Sequence, residues 1–138
     1  MTAAASLSLA GGLEIVTRAT AWVGQQAVAA GASEESSLAL QLAVEEAATN
    51  VVMHGYPDGR QPSLELAFSR QDDDLIVELS DDGVAFDPLA QPPPAPPETI
   101  ETVRIGGLGI QLMRSSVSEV TYRRRQGRNH LALRRPKR

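Results

Sequence analysis

The stretch Ser33–Gly55, SEESSLALQLAVEEAATNVVMHG, decides how the rest of the chain is read. Ser33 ahead of Glu34 and Glu35 puts a capping hydroxyl and two acids where a helix start exposes N–H groups and the positive end of its dipole. A helix is therefore predicted from here to about His54-Gly55. At roughly 100° per residue, Gln41, Glu45 and Thr49 form one polar, solvated stripe. Glu46 and Asn50 fall instead among Ala39, Leu42, Ala43 and Met53, where the pattern expects burial. A carboxylate and an amide on such a face are costly unless partnered. Two readings stand at this point. Either Glu46 is half of a solvated Glu-Glu pair and Asn50 an accident of the helix interior, or the face opens onto a site where both meet a metal or ligand.

Working outward, Ser6-Leu7-Ser8-Leu9 alternates as a short strand, and Leu13, Val16, Thr20, Val23 and Ala27 recur at helical spacing up to Gly31. After the helix, Tyr56-Pro57-Asp58-Gly59 supplies a turn. Leu64-Leu66-Phe68 and Leu75-Val77-Leu79 then alternate on either side of Gln71-Asp72-Asp73-Asp74, the pattern of an antiparallel hairpin. Residues 88–102 have no apolar period, and six of the nine prolines lie between Pro88 and Pro97, which keeps the segment from being helical. Gly106-Gly107-Leu108-Gly109 opens a third helix, Ile110 to about Val117. Strands are expected around Val120–Tyr122 and Leu131–Leu133, joined through Gln126-Gly127-Arg128-Asn129.

At 138 residues the chain is expected to form one domain. With no cysteine, disulfide scaffolds, thiolate metal sites and thiol catalysis are excluded. No basic signal-peptide start and no window of about 20 apolar residues is visible, so a cytoplasmic protein with no membrane partner is expected. The net charge of −4 hides a separation: eight of the 13 Arg and Lys residues lie after position 120, where there is no acid, and all 17 acids precede them. The basic end suggests nucleic acid, but it lacks interleaved aromatics. A protein surface is the expected use, with no direct nucleic acid contact.

Asp81-Asp82-Gly83-Val84-Ala85-Phe86 at a strand end could be a turn and no more, and a glycine-rich helix start alone is a weak phosphate signal. Their order is more specific: Glu46 and Asn50 on a helix, Asp81-x-Gly83 after a hairpin, a long loop, then Gly106-Gly107-x-Gly109 into a helix. This series resembles the N, G1 and G2 boxes of the GHKL ATP-binding superfamily. Leu42 to Asn50 with His54-Gly55-Tyr56, Asp81 to Pro88, and Gly106 to Ser115 are similar to the stand-alone anti-sigma-factor serine kinases of that superfamily.

The resemblance implies an α+β, two-layer sandwich of the Bergerat type, with a mixed, mostly antiparallel sheet covered on one face by about three helices. One kinase domain would span 1–138, with an ATP lid at about 88–105. It implies ATP and Mg²⁺ as cofactors, Asn50 as the Mg²⁺ ligand and Glu46 as the catalytic general base. Asp81 would accept from the adenine amino group beside Gly83, Asn129 would support the adenine pocket, and Gly106, Gly107, Leu108 and Gly109 would meet the phosphates. Ala85 stands where many members carry a second glycine, and the polyproline run is unusual for a lid. The implied function is a protein serine/threonine kinase that phosphorylates a small anti-sigma-factor antagonist and sequesters a sigma factor, with a homodimer as a further partner state. The alternative is a nucleotide-binding regulatory module that captures a protein without phosphoryl transfer.

Overall fold

Alternation in the paired segments and 3.6-residue periodicity in the long ones produce a two-layer α+β arrangement. The computed structural model describes residues 5–90 and 108–138. In chain order these form β1 (Ala5–Ala10), α1 (Glu14–Ala29), α2 (Glu34–His54), β2 (Ser63–Gln71), β3 (Asp74–Asp81), a 3₁₀ turn at Pro88–Ala90, α3 (Leu108–Ser116), β4 (Glu119–Arg125) and β5 (Arg128–Pro136). The five strands lie in the order β1-β2-β3-β5-β4, and every pairing is antiparallel. Among the described residues no helix is long and apolar enough to cross a membrane.

One face of the sheet carries the core. The registers Leu66↔Leu79, Phe68↔Val77, Val77↔Leu133 and Leu79↔Leu131 align apolar side chains across three strands, and all are buried. Ile15, Ala19, Val23 and Ala27 of α1, Leu40, Ala43, Val44, Ala47 and Ala48 of α2, and Met113 of α3 close over them. Each fully buried Leu or Val contributes about 1.5–3 kcal/mol relative to exposure, so this layer is the main force holding α2 in place.

The helix ends follow local chemistry. Ser33 Oγ accepts from Ser36 N at 3.1 Å, which is the predicted cap of α2. At the end of α1, Gly31 adopts φ +88°, with Gly31 N donating to Val28 O and Ala32 N to Ala27 O, both at 3.0 Å. These paired bonds satisfy carbonyls that a helix end leaves open.

α2 runs between α1 and α3. On the α1 side, a Cβ at Gly24 would lie 2.8 Å from Gln41 Cδ, so Gln41 packs on α1 and does not belong to the solvated stripe predicted for it. Met53, expected on an apolar face, is 61% exposed. The buried stripe of α2 runs instead through Leu40, Ala43, Val44, Ala47 and Ala48, leaving Glu46 and Asn50 on its flank.

The last hairpin is longer than its apolar core suggested. Its turn is only Gln126-Gly127, so Asn129, predicted in the connection, lies in β5. The basic end also finds internal partners: Arg134 with Asp74 at 2.7 Å, Lys137 with Asp73 at 3.4 Å and Arg128 with Glu65 at 3.5 Å. Three of its eight basic residues thus answer acids of the β2–β3 region within the sheet.

Candidate functional site

The end of α2 and the end of β3 meet through their backbones. Val84 N donates to Gly55 O at 2.8 Å. Any Cβ on Gly83 would collide with the Gly55 carbonyl and lie 2.9 Å from Gly55 Cα, so only glycine permits this approach.

Asp81, the last residue of β3, is 4% exposed and faces Asn129 in the β3–β5 register. Its Oδ1 accepts from Gly83 N and from Asn129 Nδ2, both at 2.9 Å. Asn129 Nδ2 also donates to Val84 O at 2.9 Å, while its Oδ1 accepts from the Tyr122 hydroxyl and from Phe86 N at 3.3 Å. Burial raises the pKa of the Tyr122 hydroxyl and so keeps it a donor. From the edge strand, Arg124 Nη1 donates to Gly83 O at 2.7 Å. The turn after β3 is therefore held on several sides.

Asp81, Asn129 and Asn50 line one pocket that is partly open to solvent. Its apolar walls are Ala47 and Val51 from α2, Leu79 and Leu131 from the sheet, and Phe86 and Pro88 from the segment after β3. The His54 ring stacks on Phe86 with centroids 5.0 Å apart, which ties the last turn of α2 to the segment after β3. A buried acceptor carboxylate beside flat apolar walls suits a heterocycle with an exocyclic amino group.

Asn50 supplies the site's one unmet demand. Among the described residues, Asn50 Nδ2 is the buried side-chain nitrogen or oxygen that has no hydrogen-bond partner. Leaving such a group unpaired costs about 1–3 kcal/mol. Rotating the amide exchanges its nitrogen for its oxygen, so the side chain can offer a donor or a hard, neutral oxygen to whatever enters. That oxygen fits Mg²⁺, which binds through few protein ligands and keeps waters or substrate phosphates in its shell. No group of three or more His, Cys, Asp or Glu among the described residues could hold a metal unaided.

Glu46, one helical turn earlier, is half-buried, and burial followed by the Glu45 charge raises its pKa above 4.5. It does not line the pocket with Asn50 but faces α3, where a Cβ on Gly109 would strike Glu46 Oε2. Gly109 thus lets α3 approach this carboxylate. Leu108 begins α3, whereas Gly106 and Gly107 lie outside the described residues, as does the expected lid beyond residue 90. Periodicity gave no signal for Tyr122, Arg124 or the His54–Phe86 stack, because each acts through a contact across the sheet or between elements.

Comparison with known proteins adds ancestry to this geometry. A relative from Bordetella bronchiseptica, serine/threonine-protein kinase BtrW, is 29% identical over 117 residues, covering 85% of this chain and 82% of its own length. Serine-protein kinase RsbW of Staphylococcus epidermidis is 36% identical over 103 residues, and that of Bacillus subtilis 33% over 92. These matches cover 71% and 64% of this chain, and 65% and 58% of the respective RsbW chains. Among solved structures, a blue-light activated histidine kinase of Erythrobacter litoralis EL346 superposes with a TM-score of 0.60 at 20% identity, over 86% of this chain and 41% of that one. The sequence pattern of the histidine kinase-like ATPase domain runs from residue 10 to residue 135, nearly end to end, and the chain belongs to that family.

Proposed function

We propose that the chain is an ATP-dependent protein serine/threonine kinase of the anti-sigma-factor type, which phosphorylates a small antagonist protein and sequesters a sigma factor. The observation that carries this reading is the buried amide nitrogen of Asn50, without a hydrogen-bond partner, in the same pocket as the Asp81–Asn129 pair. Relatives named serine-protein kinases support it.

In this reading Asp81 accepts from the adenine amino group. Asn129 holds that carboxylate, and Gly83 lets the turn close on Gly55. Asn50 holds Mg²⁺, which supplies charge neutralisation on the phosphates when bound. Gly106, Gly107, Leu108 and Gly109 offer backbone N–H groups to the phosphates. Glu46 takes the proton of the substrate hydroxyl as its oxygen attacks the γ-phosphorus and ADP departs. A carboxylate whose pKa is raised by burial is a stronger base than an exposed one, and Glu46 meets that condition.

The test is transfer of labelled γ-phosphate to a candidate antagonist by wild type and Glu46→Ala. Transfer confined to wild type, with Mg-ATP binding kept in both, is the expected result. No transfer by wild type that still binds Mg-ATP would remove the kinase role and leave stoichiometric capture, whereas equal transfer by the two would place the base elsewhere.

A further inference from the structure

Asp82 immediately follows β3 but does not line the pocket. Its carboxylate is occupied elsewhere: Oδ1 accepts from the Tyr56 hydroxyl at 2.7 Å, and Oδ2 lies 3.3 Å from Arg60 Nη1. Arg60 Nη2 also donates to the Asp82 carbonyl at 3.1 Å, and Arg60 Nε to Asp58 at 2.9 Å. The guanidinium lies over the Tyr56 ring, 5.1 Å from its centroid. The connection from α2 to β2 thus grips the Asp81–Gly83 turn by both side chain and main chain.

The grip lasts over a wide pH range. Burial, followed by the bond to Asp82, pushes the Tyr56 hydroxyl up to about 12, so it remains a donor. That same bond is the leading reason that Asp82 sits below the usual carboxylate range, so it remains an acceptor.

Stability alone explains little of this arrangement. Arg60, Asp58 and Asp82 are exposed, and exposed ion pairs contribute little to folding. Their effect is positional. They brace the turn whose backbone touches Gly55 and whose Gly83 N orients the Asp81 carboxylate. An acceptor displaced by a fraction of an ångström would lose its aim at a bound amino group.

We propose that Tyr56, Arg60 and Asp82 form a positioning clamp that presses the Asp81–Gly83 turn against the end of α2 and thereby sets how strongly the pocket prefers a 6-amino purine over a 6-oxo purine. The proposal rests on the nucleotide-binding reading above. None of the three residues touches the base. They act through Asp81.

The test is calorimetric titration of the full chain with Mg-ATP and with Mg-ITP, which carries a carbonyl where ATP carries the amino group. Wild type, Tyr56→Phe, Asp82→Asn and Arg60→Ala are compared, with urea unfolding followed by the fluorescence of Trp22. Wild type should prefer ATP. Tyr56→Phe and Asp82→Asn should weaken ATP about tenfold and ITP less than about twofold, in line with the loss of one charge-assisted hydrogen bond. Arg60→Ala should narrow the ratio in the same direction. Because its site is exposed, it carries the test if Tyr56→Phe does not fold. An ATP-to-ITP ratio unchanged in the folded variants, whether both nucleotides weaken together or neither does, overturns the clamp. Wild type that binds neither nucleotide overturns the nucleotide reading, and the clamp with it.

Discussion

The two ends of the site are built in opposite ways. Around Asp81, donors and acceptors are matched in advance: Gly83 N, Asn129, Tyr122 and Arg124 lock one turn. Around Glu46 and Asn50 the demands are left open, with an amide nitrogen buried without a partner and a half-buried carboxylate whose pKa burial has raised. The first region is preorganised to select a ligand. The second keeps one unmet amide nitrogen and a half-buried carboxylate for the ligand that arrives. An acidic body, net −4 overall, could not hold a polyanion by bulk attraction. Backbone N–H groups, a helix start and a metal would have to do so locally.

The largest effect expected from breaking this contrast lies on the open side. Glu46→Gln should slow phosphoryl transfer about 10²–10⁴-fold, the usual worth of a positioned base, while nucleotide affinity stays near wild type. Single-turnover rates with a labelled antagonist measure this. An unchanged rate would place the base elsewhere.

Next comes a break on the locked side. Gly83→Ala forces a Cβ into the Gly55 backbone, and overpacking of this kind destabilises by about 1–3 kcal/mol. Urea unfolding should show that loss together with weakened ATP binding. Wild-type stability would mean that the two glycines are free to separate.

A smaller change tests the scaffold common to both regions. Ser33→Ala removes the cap of α2 and should cost about 1 kcal/mol in the same unfolding assay. Because it leaves both sets of contacts intact, the preference between ATP and ITP should hold. A shift in that preference would show that the start of α2 reaches the pocket.

The smallest effect concerns pH. Glu46 binds its proton more tightly in the folded chain, so its ionisation removes stability as pH rises from the unfolded value through the raised folded one. Glu46→Gln at neutral pH should therefore melt at the wild-type temperature or slightly above it. A clearly lower melting temperature would mean that the charged carboxylate is stabilising where it stands.

Legibility followed the range of the interactions. The Ser33 cap, the extent of α2 and the β2–β3 alternation are local, and each formed where its residues indicated. The inner face of α2 was harder to assign, because what covers Gln41 or leaves Met53 exposed is set by neighbouring helices. Asn129 read as a loop residue because its partner Asp81 lies 48 positions away. Tyr56 and Asp82, 26 apart, left no local trace of their bond. Of the residues placed by motif order, Asn50 and Asp81 converge on one pocket with Asn129, which the resemblance had singled out, while Glu46 does not line it. The glycine pair Gly106-Gly107 falls outside the described residues.

The most direct measurement is ATP affinity with and without Mg²⁺ for wild type and Asn50→Ala. Wild type should bind ATP much more tightly with Mg²⁺ present, and Asn50→Ala should lose that gain while keeping its folded far-ultraviolet spectrum. Equal affinities in the two proteins, indifferent to Mg²⁺, would contradict the assignment of Asn50 and with it the account of the open side of the site.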